Sequence, residues 1–272
     1  MKPITKLVLP IAGLGKRLLP LTKNTPKNLV KVNGKPLLEY VLEEAVESGI
    51  KDVILVTNPQ NKKDFEKYIK ENKKRFPELN FYIRIQETPG GNGHAIIKAI
   101  DLINDEPFAV RFCDDIILSE PPIIKSLIDL FNRYKKSIIL LERAPKKTIS
   151  RWGVVGFENI KEKESSFLNG KIYKINKFVE KPKPKEAPSN LTFAGGYVIT
   201  PSVIKNFKMV ADALASVPND ALPIFVAFQI ELLTGGEIYG WEFPYRRYDC
   251  GTLESLNKTE AILKKIKNNY KL

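Results

Sequence analysis

Histidine occurs once in this chain of 272 residues, as His94, and cysteine twice, as Cys113 and Cys250. Neither cysteine has a metal-ligand spacing, which excludes a Cys/His zinc module, and two cysteines cannot staple a disulfide scaffold of this size. A reduced, cytoplasmic compartment is the expectation. No run of about eighteen apolar residues is present, so no membrane-spanning helix is expected. The opening stretch Met1-Lys2-Pro3-Ile4-Thr5-Lys6 carries no apolar signal-peptide region and passes straight into a strand pattern. Internal repeats and long linkers are missing too, and a single domain over 1–272 is expected.

What is present is an ordinary globular composition with an excess of cations. Hydrophobic residues at 43% and charged residues at 28% allow a large buried core. The net charge of +13 favours anionic ligands. Much of it lies in lysine runs, Lys62-Lys63, Lys73-Lys74-Arg75 and Lys264-Lys265, beside glutamates on helix-like segments, which reads as solvated helix faces. No stacking motif or nucleic-acid module accompanies the charge, so nucleic acid is not the expected partner.

The first half alternates strand and helix patterns. Strands are expected at Lys6–Ile11, Asp52–Thr57, Asn80–Gln86, Pro107–Phe112 and Ser137–Glu142. Helices are expected at Pro36–Glu47, Asp64–Lys74, His94–Ile103 and Pro122–Tyr134. Strand–helix alternation implies crossover connections, and so an α/β fold with a Rossmann-like, mostly parallel sheet flanked by helices. The second half is less regular. Strands are expected at Trp152–Phe157, Ile172–Glu180, Thr192–Thr200 and Glu237–Phe243, with helices at Val217–Leu233 and Thr252–Lys267 and loops at Lys161–Gly170 and Lys181–Ser189.

Ligands of such sheets collect beyond the carboxyl ends of the strands. Two glycine turns and an Asp pair lie there: Gly13-Leu14-Gly15, Pro89-Gly90-Gly91-Asn92-Gly93 and Asp114-Asp115. Behind the first turn come Lys16, Arg17, Lys23 and Lys27. Glycines bring backbone N–H groups close to a ligand, and a guanidinium fork suits phosphate oxygens, so the first turn reads as an anion cradle. It lacks the Gly-Lys-Ser/Thr ending of the P-loop and the third glycine of the dinucleotide fingerprint. By itself it is equally compatible with a tight turn bearing solvated lysines.

A wider pattern resolves this. Gly13-Leu14-Gly15-Lys16-Arg17-Leu18-Leu19-Pro20, Pro26-Lys27 and Gly34-Lys35-Pro36-Leu37 open an ordered series of blocks. It continues with Gln86, Gly91-Asn92-Gly93-His94-Ala95, Asp114, Trp152-Gly153-Val154-Val155 and Val179-Glu180-Lys181-Pro182. Ala187-Pro188-Ser189-Asn190-Leu191, Gly195, Tyr197 and Tyr248-Asp249-Cys250-Gly251 complete it. The series resembles the sugar-1-phosphate nucleotidylyltransferases, and among them the bacterial-type UTP–glucose-1-phosphate uridylyltransferases, over nearly the whole chain. The resemblance implies the nucleotide-diphospho-sugar transferase type of fold, UTP or dTTP and glucose 1-phosphate as substrates, Mg2+ as cofactor and a homo-oligomer.

It also implies residue roles. Ala12, Gly13 and Gly15 would hold the triphosphate, with Arg17 and Lys27 as the cations of the reacting centre. Gln86 would read the pyrimidine edge and Gly91 would give the base clearance. Asp114 and Asp249 would hold the metal, Asp114 being favoured over its neighbour Asp115. Gly153, Glu180, Lys181 and Gly195 would take the sugar phosphate, Lys181 also acting at the reacting centre. His94, Cys113 and Cys250 are expected to be structural. The chain departs from the pattern at Lys16, where a small hydroxyl residue is usual, at Asn28, usually an acid, and at Ile85 and Gly196, both usually basic. The block Ala215 to Leu222 is matched only faintly. These departures bear on nucleotide and sugar choice more than on reaction class. A thymidylyl or dual-specificity enzyme is the alternative within the class, and a catalytically silent sugar-nucleotide-binding regulator the alternative outside it.

Overall fold

The computed structural model describes residues 2–160, 169–214 and 222–270. The parts of the expected Lys161–Gly170 loop, the Ala215–Leu222 block and the Val217–Leu233 helix that fall on 161–168 or 215–221 lie outside the described residues.

The strands are β1 (Lys6–Pro10), β2 (Lys31–Val32), β3 (Lys35–Pro36), β4 (Asp52–Thr57), β5 (Asn80–Ile85), β6 (Phe108–Arg111), β7 (Asp115–Ile117), β8 (Ser137–Arg143), β9 (Gly153–Asn159), β10 (Lys171–Glu180), β11 (Leu191–Ile199), β12 (Ile238–Glu242) and β13 (Arg247–Asp249). The helices are α1 (Leu37–Glu47), α2 (Lys62–Asn72), α3 (Gly91–Ile97), α4 (Ile100–Ile103), α5 (Ile123–Tyr134), α6 (Pro201–Leu214), α7 (Phe225–Leu233) and α8 (Leu253–Tyr270).

Among the described residues the central sheet has nine strands in the order β5-β4-β1-β6-β11-β8-β12-β10-β9. The expected parallel arrangement holds for β5-β4-β1-β6 and for β8-β12. β11 enters antiparallel to both β6 and β8, and β10 is antiparallel to β12 and β9. The α/β class of the sequence analysis therefore stands, as a mixed sheet that is parallel where the first glycine turn and β4 end.

Burial follows strand periodicity. In β1, Leu7 and Leu9 pack in one apolar cluster with Leu38, Val41 and Leu42 of α1. Val8, pointing to the opposite face, joins a second cluster with Ala95, Ile96, Phe207 and Phe228. Alternate side chains of one strand thus feed two cores, which is why the middle strands read as unbroken apolar runs. Two of the lysine runs lie on helix faces, where Lys62 and Lys264 pair with Glu66 and Glu260 one turn away, while Arg75 of the third pairs with the buried Glu39.

Several elements differ from expectation. The β2–β3 pair was not anticipated, and within the described part of the expected Val217–Leu233 helix only Phe225–Leu233 is helical. The helix after β5 starts at Gly91, so the glycine turn is its first turn, and it breaks between Ile97 and Ile100. α6 was not anticipated, although Val203, Ile204 and Phe207 are buried at helical spacing. The ribbon of β13 on β7, with Asp249 opposite Asp115, pairs residues far apart in sequence through short runs that carry no strand signal of their own.

Candidate active site

A cleft of about 670 Å³ opens at the carboxyl ends of β1 and β4. Ala12, Gly13, Gly15, Arg17, Lys27, Gln86 and Gly91 all line it. The first turn is shaped by Gly15, which sits at φ +65° in the left-handed region. A Cβ there would stand 2.9 Å from Thr22 Cγ2 and 3.0 Å from Lys27 Cβ. Glycine is therefore demanded twice, by conformation and by the close pass of the 22–27 segment. Thr22 Oγ1 and the Leu18 N–H both donate to the Gly15 carbonyl, at 2.9 and 2.8 Å. Lys16 and Arg17 are exposed at the cleft and have no ion-pair partner among the described residues.

At the inner end Lys27 Nζ donates to Asp114 Oδ2 at 2.5 Å. Burial pushes the Asp114 carboxyl up, but the Lys27 charge and hydrogen bond, with Arg17 behind them, outweigh it and hold the group below the usual carboxylate range. Asp249 arrives through β13. Its Oδ1 accepts from the Gly251 N–H at 3.1 Å, and the Cys250 N–H donates to the Asp114 carbonyl at 2.8 Å. Gly251 marks the meeting point: a Cβ built on it would lie 2.9 Å from Asp249 Oδ1, 3.6 Å from Arg17 Nη2 and 3.7 Å from Asp114 Oδ2. Two carboxylates and a guanidinium thus come within 4 Å of one point beside Gly251. Among the described residues no group of three or more His, Cys, Asp or Glu side chains is arranged to hold a metal.

Asp115 is engaged elsewhere. Arg247 Nη1 donates to Asp115 Oδ1 at 2.7 Å and its Nε to Glu142 Oε2 at 2.7 Å, with the guanidinium over the Trp152 ring. Burial raises the Asp115 carboxyl against the pull of Arg247. Arg111, wholly buried, donates to the carbonyls of Phe112, Gly195 and Asp115, which fixes the loop carrying Asp114. Arg247, Glu142, Arg111 and Gly251 were not singled out from sequence. Gly251 closes a quoted block, and Arg247 stands two residues before Asp249, but nothing local announces Glu142.

Asp114 and Asp249 lie behind the lining residues Arg17, Lys27 and Gly251 and do not themselves line the cleft, and the sugar-side residues form a second group that does not line it either. Glu180 is the register partner of Gly153 across β10 and β9, and Lys181 follows at φ +45° with its ammonium 3.6 Å from Glu180 Oε1. Protein atoms take up the glycines' space: a Cβ on Gly153 would lie 2.4 Å from the Phe193 ring, and one on Gly195 2.4 Å from Asp115 Oδ2. Gly91 behaves likewise. It sits at φ +81°, and a Cβ would meet the Leu222 carbonyl at 2.8 Å. Leu222 and Gly90–Gly93 are hydrogen bonded to each other both ways. The buried Cys113 and Cys250 thiols are both pushed up to about 12 by burial, so neither supplies a thiolate at neutral pH.

A strand-end cleft with a glycine cradle, unpaired cations and converging carboxylates defines a nucleotide-binding α/β protein. The family model described as nucleotidyl transferase matches residues 6–265, and the chain belongs to that family. It is 36% identical over 280 residues to a UTP–glucose-1-phosphate uridylyltransferase of Staphylococcus saprophyticus, covering 95% of this chain and 91% of the relative. With the enzyme of the same name from Pseudomonas aeruginosa it shares 31% over 281 residues, covering 92% of each. Its fold matches a crystal structure of UDP-glucose pyrophosphorylase complexed with UDP-glucose, with a TM-score of 0.83, 32% identity, and 96% of this chain and 99% of that one covered.

Proposed function

We propose that this protein is a UTP–glucose-1-phosphate uridylyltransferase, acting as one nucleotidylyltransferase domain. The observation that carries the proposal is the convergence of Arg17, Lys27, Asp114 and Asp249 at the inner end of the cleft whose wall holds Gln86 and Gly91. The relatives' names supply the substrates. The glucose 1-phosphate oxygen attacks the α-phosphorus of UTP in line; the new P–O bond forms as the bond to the β-phosphate oxygen breaks, and pyrophosphate leaves. No protein nucleophile is needed, and the chain contributes position and charge neutralisation.

The backbone from Ala12 to Gly15 cradles the triphosphate, and Arg17 pairs with its oxygens. Lys27 neutralises charge at the reacting phosphate, held in place by Asp114. Gln86 meets the base, beside Gly91. Glu180 accepts hydrogen bonds from sugar hydroxyls, Lys181 pairs with the sugar phosphate, and Gly153 and Gly195 give clearance beside the sugar. Two hard carboxylates within 4 Å of one point suit Mg2+, which is commonly bound by one or two carboxylates together with phosphate oxygens and water. Asp114 and Asp249 would hold it, and when bound it neutralises charge on the phosphate oxygens. Among the described residues no helix is long and apolar enough to cross a membrane. A cytoplasmic setting is supported by a chain with only two cysteines, both buried and unpaired, and a homo-oligomer by the resemblance of the sequence blocks.

The test is pyrophosphate release over a grid of UTP, dTTP, CTP, ATP and GTP against glucose 1-phosphate and other sugar 1-phosphates. UTP with glucose 1-phosphate should head the grid. A dTTP optimum would make the protein a thymidylyltransferase instead. Tight binding of UDP-glucose with no turnover would make it a silent regulator, against which the intact Arg17, Lys27, Asp114, Lys181 and Asp249 already argue.

A further inference from the structure

Gln86 is only 6% exposed, and its amide is already committed on one side. Nε2 donates to the Gly91 carbonyl at 2.9 Å and lies 3.2 Å from His94 Nδ1. A primary amide carries two hydrogens: one goes to the Gly91 carbonyl, and the other has Nδ1 as its acceptor when the ring proton is on Nε2. Oε1 has no partner among the described residues, while the side chain lines the cleft. The histidine ring is itself fixed. It lies over Gly90, where a Cβ would be 2.2 Å from His94 Nδ1.

We infer that His94, the sole histidine, is a positioning residue that sets the polarity with which Gln86 meets the base: Nδ1 takes one amide hydrogen, and Oε1 alone is turned to the nucleotide. This rests on the proposed reading that Gln86 faces the base. An imidazole that accepts at Nδ1 carries its proton on Nε2 and is neutral. A lone carbonyl oxygen accepts from the N3–H of uracil or thymine. Cytosine presents a lone pair at N3, so oxygen would face lone pair. UTP is thereby separated from CTP by polarity, without any change in pocket size.

Protonation reverses the contact. With a hydrogen on Nδ1, donor faces donor; turning the amide over satisfies the imidazolium but sets Oε1 against the Gly91 carbonyl. Neither orientation is then favoured, and the preference for uracil falls. Burial, the main cause, and Lys98 hold the ring below the ordinary histidine value of 6.5, opposed by Glu87, so the loss begins on the acid side of that value. Lys98 and Glu87 pair with each other at 2.8 Å. In the helices packed on α3, Lys208 is engaged by Asp105, and Glu231 by Ser202 and Asn206.

The experiment measures kcat/KM for UTP and CTP between about pH 5.5 and 8 in wild type, His94→Asn, His94→Leu and Gln86→Ala. The asparagine oxygen introduced by His94→Asn accepts in place of Nδ1 and does not titrate. That variant should keep the neutral-pH UTP:CTP ratio and hold it flat, whereas the wild-type ratio falls with acid. His94→Leu should lower the ratio about ten-fold at neutral pH, the size of one lost hydrogen bond at a buried group. If Gln86→Ala abolishes the ratio while His94→Leu leaves it intact, the inference fails and the base-reading role of Gln86 stands. If Gln86→Ala leaves the ratio intact, that reading fails and the inference with it. Should His94→Leu not fold, a His94→Asn ratio that falls with acid as steeply as wild type overturns the inference by itself.

Discussion

Gly251→Ala tests whether the space among Arg17, Asp114 and Asp249 is where the chemistry happens. The added Cβ would stand 2.9 Å from Asp249 Oδ1. A relaxed carbon–oxygen contact is roughly 3.4 Å, so that carboxylate has to swing away by about half an ångström, at a rotamer cost of about 0.5–1.5 kcal/mol. Gly251 is not among the positive-φ glycines, so alanine is conformationally admissible, and stiffening the unfolded chain offsets about 0.4–1 kcal/mol. Stability should therefore change by less than about 1 kcal/mol. The catalytic effect is larger: misplacing a reacting group by about 1 Å costs roughly a hundred-fold, and half that displacement about ten-fold. Steady-state turnover titrated with Mg2+, alongside urea unfolding, gives both quantities. Turnover should fall about ten-fold or more and half-saturating Mg2+ should rise, while the unfolding midpoint hardly moves. Asp114→Asn and Asp249→Asn, which remove charge outright, should each cost about 10²–10³ in turnover. Wild-type turnover and an unchanged Mg2+ requirement in Gly251→Ala would refute the assignment of this space; a collapse in stability would refute the steric premise.

Two further expectations separate the halves of the site and its thiols. Arg17→Ala should raise the UTP concentration needed for half-maximal rate by about ten-fold or more, the size of a lost charged hydrogen bond, while Glu180→Ala should raise the glucose 1-phosphate requirement instead; the reverse pattern would mean the subsites are exchanged. With both thiols held up to about 12 by burial, iodoacetamide at about pH 8 should label native Cys113 and Cys250 far more slowly than the guanidinium-unfolded chain, and fast native labelling would show that the core beside Asp114 and Asp249 opens.

The fold was legible where each residue's local pattern and its tertiary fate agree. Asp52–Thr57 was delimited to the residue, because its apolar run is buried on both faces and nothing competes with it. α1 lost only Pro36, which serves as its N-cap. The misses have the opposite character. β7 and β13 are short, and each is a strand only because the other is beside it. The glycine turn at Gly91 became a helical first turn because the Leu222 segment supplies the hydrogen-bond partners that a sequence reading must leave open.

The candidate site divides the same way, and the division separates a residue's identity from the reason for it. Gly15 is needed for the close pass of its own neighbouring segment, a local fact that the Gly-x-Gly turn carries in sequence. Gly91, Gly153 and Gly195 are expected from the sequence to give clearance to the base and the sugar, whereas the atoms that a Cβ would meet at each are the Leu222 carbonyl, the Phe193 ring and the Asp115 carboxylate. Those three contacts join residues 40 to 131 positions apart, and a pattern of blocks cannot say which chain will cross which. The same holds for charge. Asp114 and Asp115 are indistinguishable by type, and burial pulls both carboxyls the same way. What separates them is the cation each meets: Lys27 and Arg17 at the cleft for Asp114, Arg247 with Glu142 behind it for Asp115. With Asp115 committed to a buried ion pair, Asp114, beside Lys27, is the carboxylate that the proposed function assigns to the metal.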